Sequence, residues 1–530
     1  MASRYVVNKK NLYGKKIFLL GTSNLGPVNT PIRAISANHV KSVFGEDGTL
    51  LDAYRVIKES DFDCEVTLVK ISGIHSELYL DINVPEGEII KEGFYLKAKY
   101  ANEIYDNIKV IIDEEALYIY YEGEELGDYT MEYRYNLQDE NGEDVLDSDG
   151  NKIYKSMYDL AEEINEDARN LNGYVYCYVS CEPSVLANAA LVGVNPSINK
   201  MNGGNSGLYY NKNMLYNCLS DTYGILEGRN IDIIIPLQCY YDDTFTDVSD
   251  YLTEYYDLDR EYLTLKIDGE YLSYYKQLLD FCKRQMQFGF LTHGIMGLNT
   301  VGDPFIDQDS YYLKLEHFKS VNEDDKSDDK YRQLVSVCVG DLYTTYGTRV
   351  YNSYIAYAAL VANIKITENT TNKPLPKSFT MFNDFDTRML AKIRELGYTA
   401  FRYSILKKRV VVANGVTTSK DKNFKYLCNI RMCQLTMCYV RELLTSYIGK
   451  NINMLIKTRE LEQSLIALLN KLITLKVITG FAINSITNPN TGHILLDLSF
   501  KTLYMNESIR AYSGLTAMRY GDDEWLRTKF

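Results

Sequence analysis

The stretch Lys16-Ile17-Phe18-Leu19-Leu20-Gly21 places four consecutive apolar residues between a lysine and a glycine. A short apolar run closed by a turn residue predicts a buried strand. Outward from it, Asn38 to Val43 before Phe44-Gly45, and then Leu51 to Lys58, predict two short helices. Cys64 to Lys70 alternates as a strand should, so the chain opens in the order β-α-α-β.

From Leu78 to about Tyr135 the texture changes to alternating strands, expected at Phe94 to Tyr100, Asn107 to Ile112, Ala116 to Tyr121 and Tyr129 to Tyr135. An Asp-, Asn- and Gly-rich tip from Asp139 to Asn151 and a helix from Ser156 to Asn165 follow. Asp147-Ser148-Asp149-Gly150 does not fit a calcium loop, whose first position would fall on Val145, and reads as a solvated turn. Between Asn202 and Val321 the pattern becomes α/β, with helices at Lys212 to Leu226 and Leu272 to Met286 and strands at Ile231 to Pro236 and Phe288 to Thr292. This implies a parallel sheet. After a charged loop from Asn322 to Tyr331, Leu334 to Val339 reads as a buried strand. The alanine-rich run Ser353 to Ala362 reads as a helix that can pack closely.

Asn383 is expected to cap a helix carrying Leu390, Ile393 and Leu396 on one face and stopping at Gly397. Arg409 to Val412 is a strand, and Phe424 to Ile448 a long helix. In the helix expected at Ile456 to Leu475, the leucines at 461, 465, 468, 469 and 472 form one stripe that must be buried. Gly480 to Ile486, Ile494 to Tyr504 and Ile509 to Tyr520 read as strands, with Pro489 to Gly492 turning the first into the second.

At 530 residues the chain has room for two to four domains, and its hydrophobic and charged fractions, 46% and 24%, are those of a folded globular protein. The 47 tyrosines suit surfaces buried against a partner and wet at the edge. A net charge of −14 argues against a nucleic-acid or anionic-membrane binder. The charge is unevenly spread. Residues 121–150 hold eleven acids against the single base Arg134, whereas residues 401–480 hold fourteen Lys and Arg against four acids. The start resembles no signal peptide, and no stretch reaches the roughly 18 apolar residues of a membrane span, so the product is expected in the cytosol when made.

No catalytic or cofactor motif emerges. His39, His75, His293, His317 and His493 are scattered, without HExxH or GxSxG. The turn from Gly21 to Gly26 has Pro27 and Val28 where a phosphate loop needs lysine and a hydroxyl. Residues 203–207, with three glycines, read as a flexible loop before a helix. The ten cysteines contain no CxxC. Cys428, Cys433 and Cys438 recur every five residues, which does not converge on one metal, and read as core thiols, while Cys177 and Cys181 share a strand face without a histidine pair nearby. The expectation is no enzyme, no cofactor and no metal.

Read together, the segments resemble the sheath proteins of contractile tails, in phages and phage-tail-like particles. The resemblance rests on Gly26-Pro27, Phe44-Gly45 and the helix at Ala53; on Leu96 to Tyr100 followed by Asn107 to Val110; and on Gly203 to Gly207 with the strand Ile231 to Pro236. It is strongest in Leu396-Gly397-Tyr398, Arg409 to Val412, Arg431, Ile448-Gly449, the leucine-striped helix and Gly492 to Asp497, all in the expected order. Where such sheaths often have a tryptophan in the turn before the asparagine, residues 101–106 have none.

The resemblance implies an α/β, α+β multidomain chain whose sheath core is built from both chain ends, with β-rich and α/β units inserted. The expected units are an arm and first strand (1–25), the first part of the core (26–75), a protruding β-rich unit (76–200), an α/β middle unit (201–380), the C-terminal core (381–515) and a C-terminal arm (516–530). It further implies a virion tail protein, assembled in the host cytoplasm, that stacks as hexameric-type rings around a tail tube. Contraction would drive the tube through the host envelope for genome delivery. Expected partners are further copies, the tube, the baseplate and the tail terminator, with no direct nucleic acid and no stable membrane insertion. Arms lent to neighbours are expected at Arg4, Tyr5, Val6 and Val7 and at Ala517, Met518, Arg519 and Tyr520, with Trp525 as an anchor. Lys457, Arg459, Lys471 and Lys476 are expected to face the tube. The alternatives are another tail or baseplate component and a cytosolic α/β enzyme.

Overall fold

The computed structural model describes residues 16–60, 64–83, 89–121, 129–139, 142–167, 175–179, 190–192, 199–210, 212–237, 264–267, 270–298, 307–322, 326–343, 353–421, 424–447, 459–488 and 493–502. The opening strand Lys16–Gly21 buries both of its faces. Successive side chains alternate across a strand, so Ile17 and Leu19 join one hydrophobic core while Phe18 and Leu20 join another.

That strand lies inside an eight-stranded sheet with the spatial order Ile32–Arg33, Glu65–Lys70, Lys16–Gly21, Ile233–Pro236, His293–Leu298, Val335–Val339, Thr399–Ser404 and Arg409–Asn414. The six central strands run parallel and the two edge strands antiparallel to their neighbours. Both faces are covered, as parallel sheets require. Helices Ala37–Phe44, Thr49–Glu59 and Ser353–Asn363 pack on one face, and Lys212–Leu226, Tyr274–Gln287, Gln308–Asn322 and Thr387–Leu396 on the other. Every residue from Ser353 to Ala362 is buried, the close packing expected of its alanines. One sheet thus joins strands from four of the units expected along the chain and runs across the boundary at 380/381.

Several local expectations are corrected. Phe288 to Thr292 is not a strand. Helix Tyr274–Gln287 ends in a turn at Phe288-Gly289, where Gly289 has φ +75°, the Phe290 amide bonds back to the Gln285 carbonyl, and the strand begins only at His293. Asn383 caps no helix. The Asp386 side chain accepts from the Met389 amide instead, and Asn383 accepts from the Asp341 amide inside the protein. Helix Gln308–Asn322 and strands Ile32–Arg33 and Thr399–Ser404 had no counterpart in the sequence reading. Cys438 is exposed, not a core thiol, because its helix turns it outward from the face carrying Cys428.

The described residues between 77 and 200 form a separate lobe. Two four-stranded antiparallel sheets enclose a core with helix Met157–Glu166, which starts on a capping box between Ser156 and Asp159. Single bridges pair Ile74 with Asn205 and Glu77 with Asn202, so the strands entering and leaving the lobe run side by side.

Candidate assembly surface

The leucine stripe behaves as its spacing demands. In helix Glu460–Thr474, Leu461, Leu465, Leu468, Leu469 and Leu472 are all buried, against Met432, Leu435, Val440 and Leu443 of helix Leu427–Thr445. Two strands then pair as a hairpin, Gly480–Asn488 with His493–Lys501, in register from Gly480 opposite Lys501 to Asn488 opposite His493. Phe481 opposite Phe500 and Ile483 opposite Leu498 pack toward the helices, whereas Ala482 and Ser499 are exposed on the other face. The hairpin is a two-stranded sheet. Among the described residues neither of its outer edges pairs with a further strand. An edge presents a row of backbone donors and acceptors and templates the addition of another strand.

Of the cations expected to face a tube, Arg459, Lys471 and Lys476 are exposed, and Lys457 lies outside the described residues. The structure does not gather them into one patch. Arg459, at φ +49°, precedes the first turn of the leucine helix and Lys471 sits in its last turn, roughly 18 Å further along the axis. Lys476 lies just beyond, at φ +58° in the turn leading to the hairpin, so it groups with Lys471 and away from Arg459. The arm residues Arg4, Tyr5, Val6, Val7, Ala517, Met518, Arg519 and Tyr520, with Trp525, lie outside the described residues.

His293 and Lys70 are both buried in the interior. His293 Nε2 lies 3.0 Å from Ser336 Oγ, but both residues are fully buried, and Ser336 Oγ donates to the Val416 carbonyl. Burial, with Arg431 nearby, pushes the imidazole down to about 3, leaving it neutral near neutral pH. Lys70 is buried where the core meets the lobe. Its Nζ donates to the Ala101 carbonyl at 2.9 Å, and burial pulls its pKa down to about 7 against the opposing pull of Glu103.

The loop at 203–207 is tied at several points, so the flexible reading is corrected. The Gly204 amide donates to Asp106 Oδ1 at 2.9 Å and the Ser206 amide to Glu103 Oε2 at 3.0 Å. A side chain on Gly204 would collide with Ser76 Oγ and the Asn102 carbonyl, which is why glycine stands there. Among the described residues no group of His, Cys, Asp and Glu could hold a metal ion, and no helix is long and apolar enough to cross a membrane.

The sequence reading passed over Ile405 and Leu406, which stand exposed on the turn between the last two strands of the sheet. Two aliphatic residues followed by Lys407-Lys408-Arg409 were the available signal.

Comparison with known proteins gives a likeness to contractile-tail sheath structures. The chain resembles a sheath tail protein from Desulfitobacterium hafniense at 12% identity, covering 92% of this chain and 96% of that one with a TM-score of 0.44. A sheath tail protein from Listeria innocua is similar at 11% identity, with 92% and 95% covered and a TM-score of 0.46. A chain of the anti-feeding prophage baseplate in its contracted state is similar at 11% identity, with 97% and 96% covered and a TM-score of 0.48. No known family signature and no curated protein sequence matches the chain.

Proposed function

We propose that this chain is the sheath subunit of a contractile tail or tail-like particle, a mechanical protein and not a catalyst. Copies stack as rings around a tail tube, lend strands from their two ends to neighbours, and repack on contraction to drive the tube through an envelope. The observation that carries this reading is the open-edged hairpin 480–501 close to the C-terminal end of the chain. A strand from another copy can add to it and complete backbone hydrogen bonds that survive large rigid-body movements of the domains. Because such a donation is heterologous, it propagates into rings and stacks instead of closing as a dimer. The ordered features of the sequence support the same reading.

In this reading the core of the subunit draws on both chain ends, the lobe 77–200 projects from it, and Lys471 with Lys476 faces the tube. The baseplate and terminator cap the ends of the stack. Contraction requires no nucleotide. Two packings of one polymer that differ modestly in free energy per subunit, summed over many subunits, supply the work.

Electron microscopy of the purified full chain tests the proposal: hollow cylinders of contracted width are expected. A chain lacking residues 1–15 and 503–530 is expected to fold and stay monomeric. Polymerisation of that shortened chain as readily as the intact one, or an intact chain that stays monomeric at every concentration, overturns the reading.

A further inference from the structure

We propose that the turn at residues 404–409 is a docking knob whose partner is the acidic double turn at residues 136–154 of a second copy of this chain. The inference rests on the self-assembly proposed above and names a contact within it. Turn tips are ordinarily polar, yet here Ile405 is 83% and Leu406 98% exposed. Lys407 and Lys408 beside them are exposed as well, and among the described residues no carboxylate pairs with either.

The tip is held in place. The Lys407 amide donates to Ser404 Oγ, Lys407 Nζ to the Asn372 carbonyl, and Arg402 Nη2 to Asn372 Oδ1 at 2.8 Å. A fixed tip that combines two aliphatic side chains with two cations fits a partner that is both apolar and anionic.

The segment 136–154 has that character. Bridges pair Asn136 with Tyr154, Gln138 with Asp144 and Leu146 with Lys152, folding it into two tight turns. Those turns leave Leu137, Leu146, Ile153 and Tyr154 exposed among the exposed carboxylates of Glu143 and Asp149. The complementarity follows the uneven charge of the chain, since one segment lies in its acidic stretch and the other in its basic one.

Position in the fold favours a contact between copies. The knob projects from the edge strand Arg409–Asn414, while the lobe bearing the acidic turns leaves the sheet after Glu65–Lys70, beside the opposite edge. A contact joining opposite ends of one sheet is head-to-tail and propagates. The groove between the core and the lobe is a poorer seat, because Lys97 and Lys99 line it and would meet Lys407 and Lys408 with like charge.

The test uses the full chain and four variants: Leu406→Ser, Lys407→Glu/Lys408→Glu, Glu143→Lys/Asp149→Lys, and the two charge reversals combined in one chain. Sedimentation velocity and electron microscopy give the concentration at which polymer forms. The first three variants are expected to raise it about tenfold or more, and the combined chain to return to within about threefold of the parent, as direct pairing requires. A parent that polymerises alongside first three variants that behave like it overturns this contact and leaves the sheath reading standing. Failure of the combined chain to recover, with the knob variants still defective, overturns the acidic turns as partner and directs the knob to another surface such as the tube. A parent that is monomeric at every concentration overturns the contact together with the sheath reading.

Discussion

The side-chain nitrogen of Lys70 donates to the carbonyl of Ala101 at 2.9 Å in a position closed to solvent, linking the last residue of a core strand to the base of the lobe. Burial lowers this ammonium to about 7, so the folded protein releases a proton that the unfolded chain keeps up to its ordinary value near 10.4. From pH 7 to about 10 the unfolded chain therefore binds more protons at this site, and the Lys70 contribution to stability rises with pH. Below pH 7 both states are protonated and the burial penalty, on the order of 3 to 5 kcal/mol, is present in full. Lys70→Met is expected to flatten this dependence. Denaturant unfolding of parent and variant from pH 6 to 10 checks it, and a stability difference independent of pH refutes the assignment.

Gly297 lies where the sheet meets the buried alanine-rich helix. A methyl group there would come within 2.3 Å of Tyr354 Cδ1, and the tyrosine is tied by its hydroxyl to the Leu237 carbonyl. Gly297→Ala is expected to cost about 1 to 3 kcal/mol by overpacking. Thermal unfolding measures it, with Gly480→Ala as the control, where an added carbon meets nothing within 4 Å.

Asp386 rather than Asn383 caps helix Thr387–Leu396. Asp386→Ala is expected to lose about 1 kcal/mol in chemical unfolding.

Leu469 is fully buried between the two C-terminal helices and the hairpin. Leu469→Ala is expected to cost about 2 to 5 kcal/mol and to loosen the hairpin before the sheet. Hydrogen exchange should then rise across 480–501 while the strand Lys16–Gly21 stays protected.

Charge reversal at Lys471 and Lys476 is expected to weaken co-sedimentation with a purified tail tube while leaving assembly of the chain on itself unchanged. The same reversal at Arg459 should matter less, because it stands at the other end of the helix.

Much of the fold was legible because periodicity survives wherever one face is buried. Lys16–Gly21, Ala116–Tyr121 and Lys212–Leu226 appear at their expected bounds, and the leucine stripe found its partner helix. The failures have local causes. Two phenylalanines at a helix end, Phe288 and Phe290, imitate a strand when the positive φ of Gly289 is unknown. Asp386 and Asn383 are equally good caps by residue type, and only the path of the chain chooses between them. Helix Gln308–Asn322 carried its signal in Tyr311, Leu315 and Phe318, buried at i, i+4 and i+7, but Lys314, Glu316 and His317 between them obscured it. Of the assembly surface, the sequence revealed which cations exist but not their separation along the helix. The exposure of Leu406 had only the following Lys407-Lys408-Arg409 as its signal, since a leucine near the end of a strand is ordinarily core.

The adjoining bridges at Glu77–Asn202 and Ile74–Asn205 make the lobe a loop in the topological sense: its two ends meet at one doorway in the core. A piece grafted through such a doorway can be enlarged, exchanged or replaced by a short turn while the main sheet keeps its strand order. The lobe is thereby free to diversify at a pace of its own, and a foreign segment spliced between residues 77 and 202 would leave the main sheet in register.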